Sequence, residues 1–341
     1  MRIYLVKGAF KVLRPESLDL QFLAVLDQRT TLTGLEKNQL QRSVRGYRGE
    51  LQLDQLVETF FGHVDLVCDD LTLQFEEEEV QIDKLVLVGN TVYLLDAKNY
   101  RGNYTFKQNS WYSGQRLLAT NIFRQIDRAC DLLQQIFQAE GLQLTVQRVL
   151  LFMDPQVKLD IQQAVQQVLR YNEIPGWLTK LKREAEIYPA ISLASYRRAL
   201  AKYAAPAYRP EQDFAARADQ TLRPGICCPR CRHFDWNFDR YTVSCCRCGF
   251  CQSKELAYVS TICDYGVLYF KHNLKRKELL RFLGEGGKEK YLRRQLSRHF
   301  EQIGFSKSHA GYKNYGLRFK YWFAGQEQYF EDTEKRCRWK K

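Results

Sequence analysis

The sequence of 341 residues lacks any apolar run that approaches the roughly 18 residues a membrane-spanning helix needs. Its first residues, MRIYLVKGAF, lack the uninterrupted apolar segment of a secretory signal. Internal repeats and low-complexity tracts are also missing. From these absences we expect a cytoplasmic protein that has no membrane partner.

Cysteine is well represented instead, with 11 residues. A chain that is not exported keeps its thiols reduced, so this number indicates metal binding rather than disulfides. Two C-x2-C pairs, Cys228/Cys231 and Cys245/Cys248, are separated by 13 residues, which is the spacing of a zinc ribbon. We therefore predict one structural Zn²⁺ held by these four thiolates. An alternative assignment, in which the ligands of one C-x2-C pair are shifted by one residue, stays open because further cysteines lie nearby: Cys227, Cys246 and Cys251.

The segment 81–98 predicts a hairpin that carries charged side chains. Two apolar stretches flank the two-residue turn Gly89-Asn90, which is a short hairpin signal. If this turn closes the hairpin, Asp83 lies directly opposite Asp96. Because side chains alternate faces along a strand, Lys98 projects on the same face as Asp96.

Two carboxylates in such a cross-strand pair repel one another. A divalent cation such as Mg²⁺ would relieve the repulsion, and Mg²⁺ favours one or two carboxylates together with substrate phosphates. The alternative is that Asp96 and Lys98 form a neutralised pair at a strand end and that Asp83 is solvated. Three polar groups on one face of an apolar hairpin favour the functional interpretation.

Three motifs resemble the NERD (nuclease-related) domain, a family grouped with the PD-(D/E)xK nucleases: RGYRGE at 45–50, QID at 81–83 and DAKNYRG at 96–102. Later positions of the family pattern are matched by Trp111, Asn121 and Gln125. The resemblance covers about residues 41–155 and has two departures. Asp96 stands where the family usually has Glu, and Ile122 stands where proline is common.

The resemblance implies a metal-dependent nuclease with a restriction-endonuclease-like α/β (α+β) core built on a mixed sheet. It implies one or two Mg²⁺ (or Mn²⁺) ions at the site, with Lys98 positioning or deprotonating the attacking water. The implied metal ligands are Asp83, Asp96 and the carbonyl of Ala97. Glu50, at the start of a helix expected over 50–61, would be a third carboxylate. The alternative for Glu50 is favourable placement at the positive N-terminus of that helix.

The formal net charge of +13 is unevenly distributed along the chain. Residues 41–160 contain 12 Lys+Arg and 17 Asp+Glu, whereas residues 255–341 contain 19 and 10. A basic module attached to an acidic metal site suits a polyanionic partner, because Lys and Arg contacts to phosphate give sequence-independent affinity. We expect nucleic acid, with DNA preferred over RNA, while homo-oligomer formation stays open.

The remaining patterns predict a helix over 161–170, a β-rich segment over 257–270, helices over 275–283 and 289–303, and a basic hairpin over 305–323. Helix, helix and basic hairpin are the layout of a small winged-helix-like module. Its expected nucleic-acid contacts are Arg293, Arg294, Arg298, Lys307 and Lys313. The alternative is an ordinary solvated basic face.

The expected division of the chain is a helical lead-in (1–40), a nuclease-like domain (41–160), a helical extension and linker (161–222), a zinc ribbon (223–254) and a basic winged-helix-like domain (255–341). We predict a metal-dependent nuclease that hydrolyses phosphodiester bonds. One alternative is a catalytically inactive DNA-binding or adaptor protein that keeps the fold. Another is a zinc-ribbon regulator of transcription.

Overall fold

The computed structural model describes residue 14 and the segments 16–62, 66–162, 167–189, 193–205, 221–269, 273–304 and 311–314. The chain forms two compact units that interleave along the sequence. The first unit comprises residues 1–14 and 42–208, and the second comprises residues 15–41 and 209–341.

Two helices come first in chain order, α1 (Leu18–Arg29) and α2 (Gly34–Phe61). The elements that follow in the first unit are β1 (Val67–Phe75), β2 (Glu78–Val88), β3 (Thr91–Lys98), β4 (Asn103–Lys107), β5 (Ser110–Ser113), β6 (Arg116–Leu117), α3 (Ile122–Ala139), β7 (Thr145–Phe152), β8 (Lys158–Ile161), β9 (Gln167–Arg170), α4 (Ile174–Ile187) and α5 (Leu193–Lys202). The main sheet has the order β1-β2-β3-β7-β9, and a smaller sheet has the order β6-β5-β4-β8. Strands β1 to β3 are antiparallel, whereas β3, β7 and β9 are parallel. The main sheet is therefore mixed, as predicted.

The two faces of the main sheet pack into separate hydrophobic cores, because side chains alternate along each strand. One face packs with α2 and α4, and its members include Leu53, Val86, Leu95 and Leu178. The other face packs with α3 and α5, and its members include Leu85, Leu94, Ile126 and Ala199. On β3 this alternation assigns Asp96 and Lys98 to the α3 side, in line with Leu94.

The helix expected over 50–61 is much longer, because α2 already begins at Gly34. A capping box starts it: the Glu36 carboxylate accepts from the Thr33 amide at 2.8 Å, and the Glu36 amide donates to Thr33 Oγ1 at 3.3 Å. Helix formers such as Leu, Lys, Gln and Arg fill the next turns. They offset the cost of Gly46 and Gly49, which is about 1 kcal/mol each relative to alanine.

The helix predicted over 161–170 is wrong, since β8 ends at Ile161 and residues 167–170 form β9. β9 pairs in parallel with β7, with Val168 beside Leu150. Val168 packs against the α3 side of the sheet and Leu169 against the α2 side. The apolar pattern of residues 161–170 is too short to distinguish a helix from a strand, and pairing with β7 decided in favour of a strand.

The second unit contains α1 and a series of later elements. These elements are β10 (Trp236–Phe238), β11 (Thr242–Cys245), β12 (Cys251–Ser253), α6 (Lys254–Tyr269), β13 (Asn273–Leu274), α7 (Arg276–Leu283), α8 (Glu289–His299), β14 (Gln302–Ile303) and β15 (Gly311–Lys313). The first three strands form a three-stranded ribbon sheet of order β10-β11-β12. A short 3₁₀ turn, Gly284–Gly286, precedes α8.

The β-rich segment predicted over 257–270 is wrong, because residues 257–269 lie in α6, and residue 270 lies outside the described residues. This helix is buried nearly all round, including Val259, Ile262 and Val267. A helix buried on every side shows no amphipathic period, and its β-branched residues then resemble a buried strand.

The C-terminal elements follow the order helix, strand, helix, helix, strand, strand, from α6 to β15. Their small sheet has the order β13-β15-β14. The helices α7 and α8 agree with the two helices of the predicted layout, and the winged-helix-like assignment of this domain stays a prediction. The helix expected over 289–303 ends at His299, because residues 302–303 form β14. Of the hairpin predicted over 305–323, residues 305–310 and 315–323 lie outside the described residues.

None of the helices in the described part of the chain combines the length and the apolar character that crossing a membrane requires.

Candidate active site and metal centre

The hairpin of β2 and β3 has the predicted register, with Val88 opposite Thr91 and Lys84 opposite Leu95. Gly89 adopts a positive φ of 58° in the turn, a conformation that favours glycine. The paired ladder stops one residue short of Asp83. There the Asp83 carboxylate accepts from the Ala97 amide through Oδ2, at 2.9 Å. A side chain thus satisfies a strand amide and holds Asp83 beside Asp96.

Asp96 and Lys98 form the centre of this polar group. Lys98 Nζ lies 2.7 Å from Asp96 Oδ1 and donates to Gln125 Oε1 at 3.3 Å. Both residues are buried, each 9% exposed. Gln125 lies in the first turn of α3, whose start is capped by Asn121, which accepts from the Phe123 amide at 3.0 Å. The sequence had singled out Asn121 and Gln125, and the structure brings Gln125 to the charged pair.

The charged side chains of this group shift one another's pKa values. Burial raises the pKa of Asp83 to about 7, and the neighbouring carboxylates of Asp96 and Glu50 act in the same direction. Burial would lower the pKa of Lys98, but the Asp96 carboxylate opposes it and the net change is upward. The site therefore has more negative charge than Lys98 neutralises, which is the condition that a bound divalent cation would relieve.

Glu50 reaches the edge of the site from α2. Gly49 allows this approach, because a Cβ at position 49 would lie 2.7 Å from the Cβ of Asn99. Asn99 also donates from Nδ2 to the carbonyl of Arg45 at 2.9 Å. These contacts hold α2 against the end of β3.

Arg14 also belongs to the site, although no sequence pattern pointed to it. Its guanidinium lies 3.4 Å from Glu50, 2.9 Å from Asp54 and 3.6 Å from Asp70. It also donates to the carbonyl of Asp83 at 2.9 Å. Arg14 thereby links α2 to the strand that carries Asp83, and it partly neutralises Glu50. Only tertiary structure could identify it, because 69 positions separate it from Asp83.

Glu50, Asp83 and Asp96 do not bring three ligand oxygens within 4.8 Å of one another, since the four cysteines are the only such group among the described residues. Asp83 and Asp96 remain neighbours across the end of the hairpin. Each has an oxygen besides the one that contacts Ala97 or Lys98. Two hard oxygen donors in a negatively charged, largely buried position fit Mg²⁺ or Mn²⁺.

We expect Gly49→Ala to separate α2 from β3. The added Cβ overlaps Asn99, and overpacking of this kind costs about 1–3 kcal/mol. Gly46→Ala is the matched control, since its Cβ would meet only Glu50 Oε1 at 3.9 Å, an ordinary contact. Thermal melts should therefore show Gly49→Ala to be less stable than Gly46→Ala. Equal melting temperatures would show that this close approach is not required.

Stability in buffer without Mg²⁺ or Mn²⁺ should fall as the pH rises. The folded-state pKa of Asp83, about 7, lies above the ordinary value of 3.8, so folding favours its protonated form. The stabilising contribution is complete below about pH 4 and is lost as the pH rises through 7. It amounts to at most about 4 kcal/mol, because one pKa unit corresponds to roughly 1.4 kcal/mol.

Urea unfolding at several pH values between 5 and 8 measures the slope of the unfolding free energy against pH. Asp83→Asn should flatten it, whereas the exposed control Asp160→Asn should not. Identical slopes in all three proteins would contradict the burial of a titrating Asp83.

The second unit brings Cys228, Cys231, Cys245 and Cys248 together, with all four sulfurs within 4.8 Å of one another. Cys228 Sγ lies 3.7 Å from Cys248 Sγ, and Cys231 Sγ lies 3.5 Å from Cys245 Sγ. A tetrahedral zinc site with Zn–S bonds of about 2.3 Å places its sulfurs about 3.8 Å apart. The four cysteines could therefore hold a structural metal such as zinc.

Each knuckle is closed by a backbone hydrogen bond. The amide of Arg232 donates to the carbonyl of Cys228 at 2.8 Å, and that of Gly249 donates to Cys245 at 3.0 Å. Both donors have positive φ, 60° and 68°. Burial raises the pKa of Cys245, but hydrogen bonds from nearby backbone amides have the larger effect and bring the pKa down to about 7. This favours the thiolate form that metals bind. Outside this group, Cys246 and Cys251 are exposed.

The residues predicted to contact nucleic acid differ in whether an acidic side chain lies beside them. Arg293 and Arg294 are exposed on α8. Arg298 lies 3.3 Å from Glu255, and Lys313 lies 3.2 Å from Glu301, so both already have acidic partners. Lys307 lies outside the described residues. All three arginines are exposed residues of α8, and Arg298 differs from Arg293 and Arg294 by its contact with Glu255.

Residues 45–153 match the family model of NERD, the nuclease-related domain. The matched segment includes Glu50, Asp83, Asp96, Lys98 and Gln125, and it excludes the cysteine cluster. No curated protein and no solved structure matches the chain. The site thus lies in a segment that is similar to a nuclease-related domain, and this similarity indicates a nuclease-like function.

Proposed function

We propose that the first unit is a metal-dependent nuclease that hydrolyses phosphodiester bonds, with DNA as the expected substrate. The observation that carries the proposal is the group of Asp83, Asp96, Lys98 and Gln125, which lies at the end of one hairpin inside the nuclease-related segment.

Asp83 and Asp96 would hold the Mg²⁺ or Mn²⁺ ion, with the Ala97 carbonyl as the third expected ligand. When bound, such an ion polarises the scissile phosphate and lowers the pKa of a coordinated water. Glu50 would contribute charge from α2 while it remains paired with Arg14, 3.4 Å away.

Lys98 would position the attacking water and offset the charge that develops on the phosphate. Burial alone would lower the pKa of Lys98, but its contact with Asp96 raises that pKa above the ordinary value, so Lys98 is better suited to hold charge than to remove a proton. Gln125 orients the ammonium group from α3, at 3.3 Å. Gln125 is therefore a positioning residue in this scheme.

The second unit would supply nucleic-acid affinity. Its four cysteines would hold one structural Zn²⁺, and α8 would present Arg293 and Arg294 to phosphates. In this arrangement the ribbon (223–254) would hold the metal, and the winged-helix-like domain (255–341) would contribute phosphate contacts through α8. The nuclease unit would perform the chemistry.

Turnover by the purified protein tests the proposal. Circular DNA, linear DNA and single-stranded RNA should each be incubated with Mg²⁺, with Mn²⁺ and with EDTA. We expect DNA cleavage with either ion and none with EDTA. Cleavage of circular DNA would identify an endonuclease. Absence of turnover on every substrate with both ions would instead support the inactive adaptor.

A further inference from the structure

A group of three cations lies where the ribbon meets helix α8. Lys254, the first residue of α6, has its Nζ 5.5 Å from the ring centroid of Phe238 and 5.1 Å from that of Tyr291. Arg294 lies over the same Tyr291 ring at 4.7 Å. Burial lowers the pKa of Lys254, and the nearby charges of Lys288 and Arg294 lower it further. Lys254, Lys288 and Arg294 are named the cation group below.

The ribbon holds this group in place. The Lys254 amide donates to the carbonyl of Tyr241 at 2.8 Å, and its Nζ donates to the carbonyl of Asp239 at 3.5 Å. Phe238 packs so tightly on Gly286 that a Cβ there would lie 2.6 Å from its ring. The position of the Lys254 ammonium group is therefore fixed before a ligand arrives, which lowers the ordering cost of binding.

The cation group has no acidic counterpart within the described part of the chain. The nearby carboxylates are engaged elsewhere: Glu289 lies 3.3 Å from Arg276, and Glu255 lies 2.6 Å from His299. Lys254 is only 6% exposed and contacts a carbonyl and two aromatic faces, whereas Lys288 and Arg294 are exposed. The positive charges of Lys288 and Arg294 repel that of Lys254, and a bound anion would offset this repulsion.

We propose that the cation group binds a backbone phosphate of a nucleic acid, so that the ribbon and α8 form one continuous binding surface. The proposal rests on the proposed function, which supplies the nucleic acid. Tyr241, 40% exposed, continues the surface on the ribbon, and Arg240 lies 5.0 Å from its ring. An exposed aromatic ring with a stacked arginine beside a phosphate site suits nucleic acid better than a free anion, because bases stack on such rings.

Fluorescence anisotropy with a labelled duplex of about 20 base pairs tests this surface. The full chain is used in magnesium-free buffer, where binding is read without cleavage. The test variant is Lys288→Gln/Arg294→Gln, which removes two charges from the cation group. The control is Lys277→Gln/Arg281→Gln, which removes two charges from the exposed side of α7. A third variant, Lys254→Met, removes the buried charge but keeps most of the side-chain volume.

We expect the test variant to bind the duplex at least about tenfold more weakly than the control. The slope of log binding constant against log salt concentration should also be smaller by about 1, which corresponds to the loss of roughly one phosphate contact. Lys254→Met should weaken binding in the same direction, with a melting temperature close to that of the parent. Equal losses in test and control variants would overturn the proposal, because net charge alone would then explain the affinity.

Binding of the parent to anionic vesicles but not to DNA or RNA would also overturn it. Failure of this surface is distinguishable from failure of the nuclease proposal. The first is measured as binding, and the second as metal-dependent turnover.

Discussion

Asp96→Asn is expected to abolish metal-dependent cleavage while leaving nucleic-acid affinity nearly unchanged. The substitution removes a charged oxygen donor from the proposed metal site and alters little volume. Loss of residues that merely support metal ligands costs about 10–100-fold, so loss of a ligand should exceed 100-fold. Initial rates with Mg²⁺ measure the effect, and Asp131→Asn, an exposed position on α3, is the matched control.

The same substitution leaves Lys98 without the carboxylate that lies 2.7 Å away. Breaking a buried ion pair costs about 3–5 kcal/mol, so a loss of folding has to be separated from a loss of catalysis. Asp96→Asn/Lys98→Met removes the unpaired charge as well. It should recover melting temperature without recovering activity. Parental cleavage rates in folded Asp96→Asn would show that the hairpin group is not the active site.

Cys245→Ser should release one zinc per chain and weaken nucleic-acid binding, while the first unit keeps its fold. Structural zinc sites contribute about 10–16 kcal/mol in zinc-finger peptides, so the ribbon is not expected to remain folded without its metal. Loss of the ribbon removes the Tyr241 carbonyl that fixes the start of α6, 2.8 Å from the Lys254 amide. The effect should therefore reach the cation group and α8.

Metal content, X-ray absorption and duplex binding measure these changes. The parent should show sulfur–metal distances of about 2.3 Å. Cys246→Ser is the control, because it changes an exposed cysteine outside the cluster. We expect parental zinc content from Cys246→Ser and at least about a tenfold loss of affinity from Cys245→Ser. A chain truncated after residue 222 that binds DNA as tightly as the full protein would show that residues 223–341 do not provide the nucleic-acid affinity.

The sequence predicted those parts of the site that depend on local spacing. The turn at Gly89-Asn90 determines the hairpin register, and alternation along β3 then places Asp96 and Lys98 on one face. The C-x2-C spacing similarly predicted which four cysteines meet. In both cases the residues lie within one short continuous segment, whose internal spacing defines the geometry, so no knowledge of distant segments is needed.

Only tertiary structure decided the rest. Arg14 reaches Glu50 and the Asp83 carbonyl from a distant part of the chain, and Lys254 meets Phe238 and Tyr291 through packing between the ribbon and the helices. The β-rich prediction for residues 257–270 is wrong over 257–269, because α6 is buried nearly all round and carries no amphipathic period. Contacts of this kind depend on how separate elements pack, and the spacing of residues along one segment does not specify that packing.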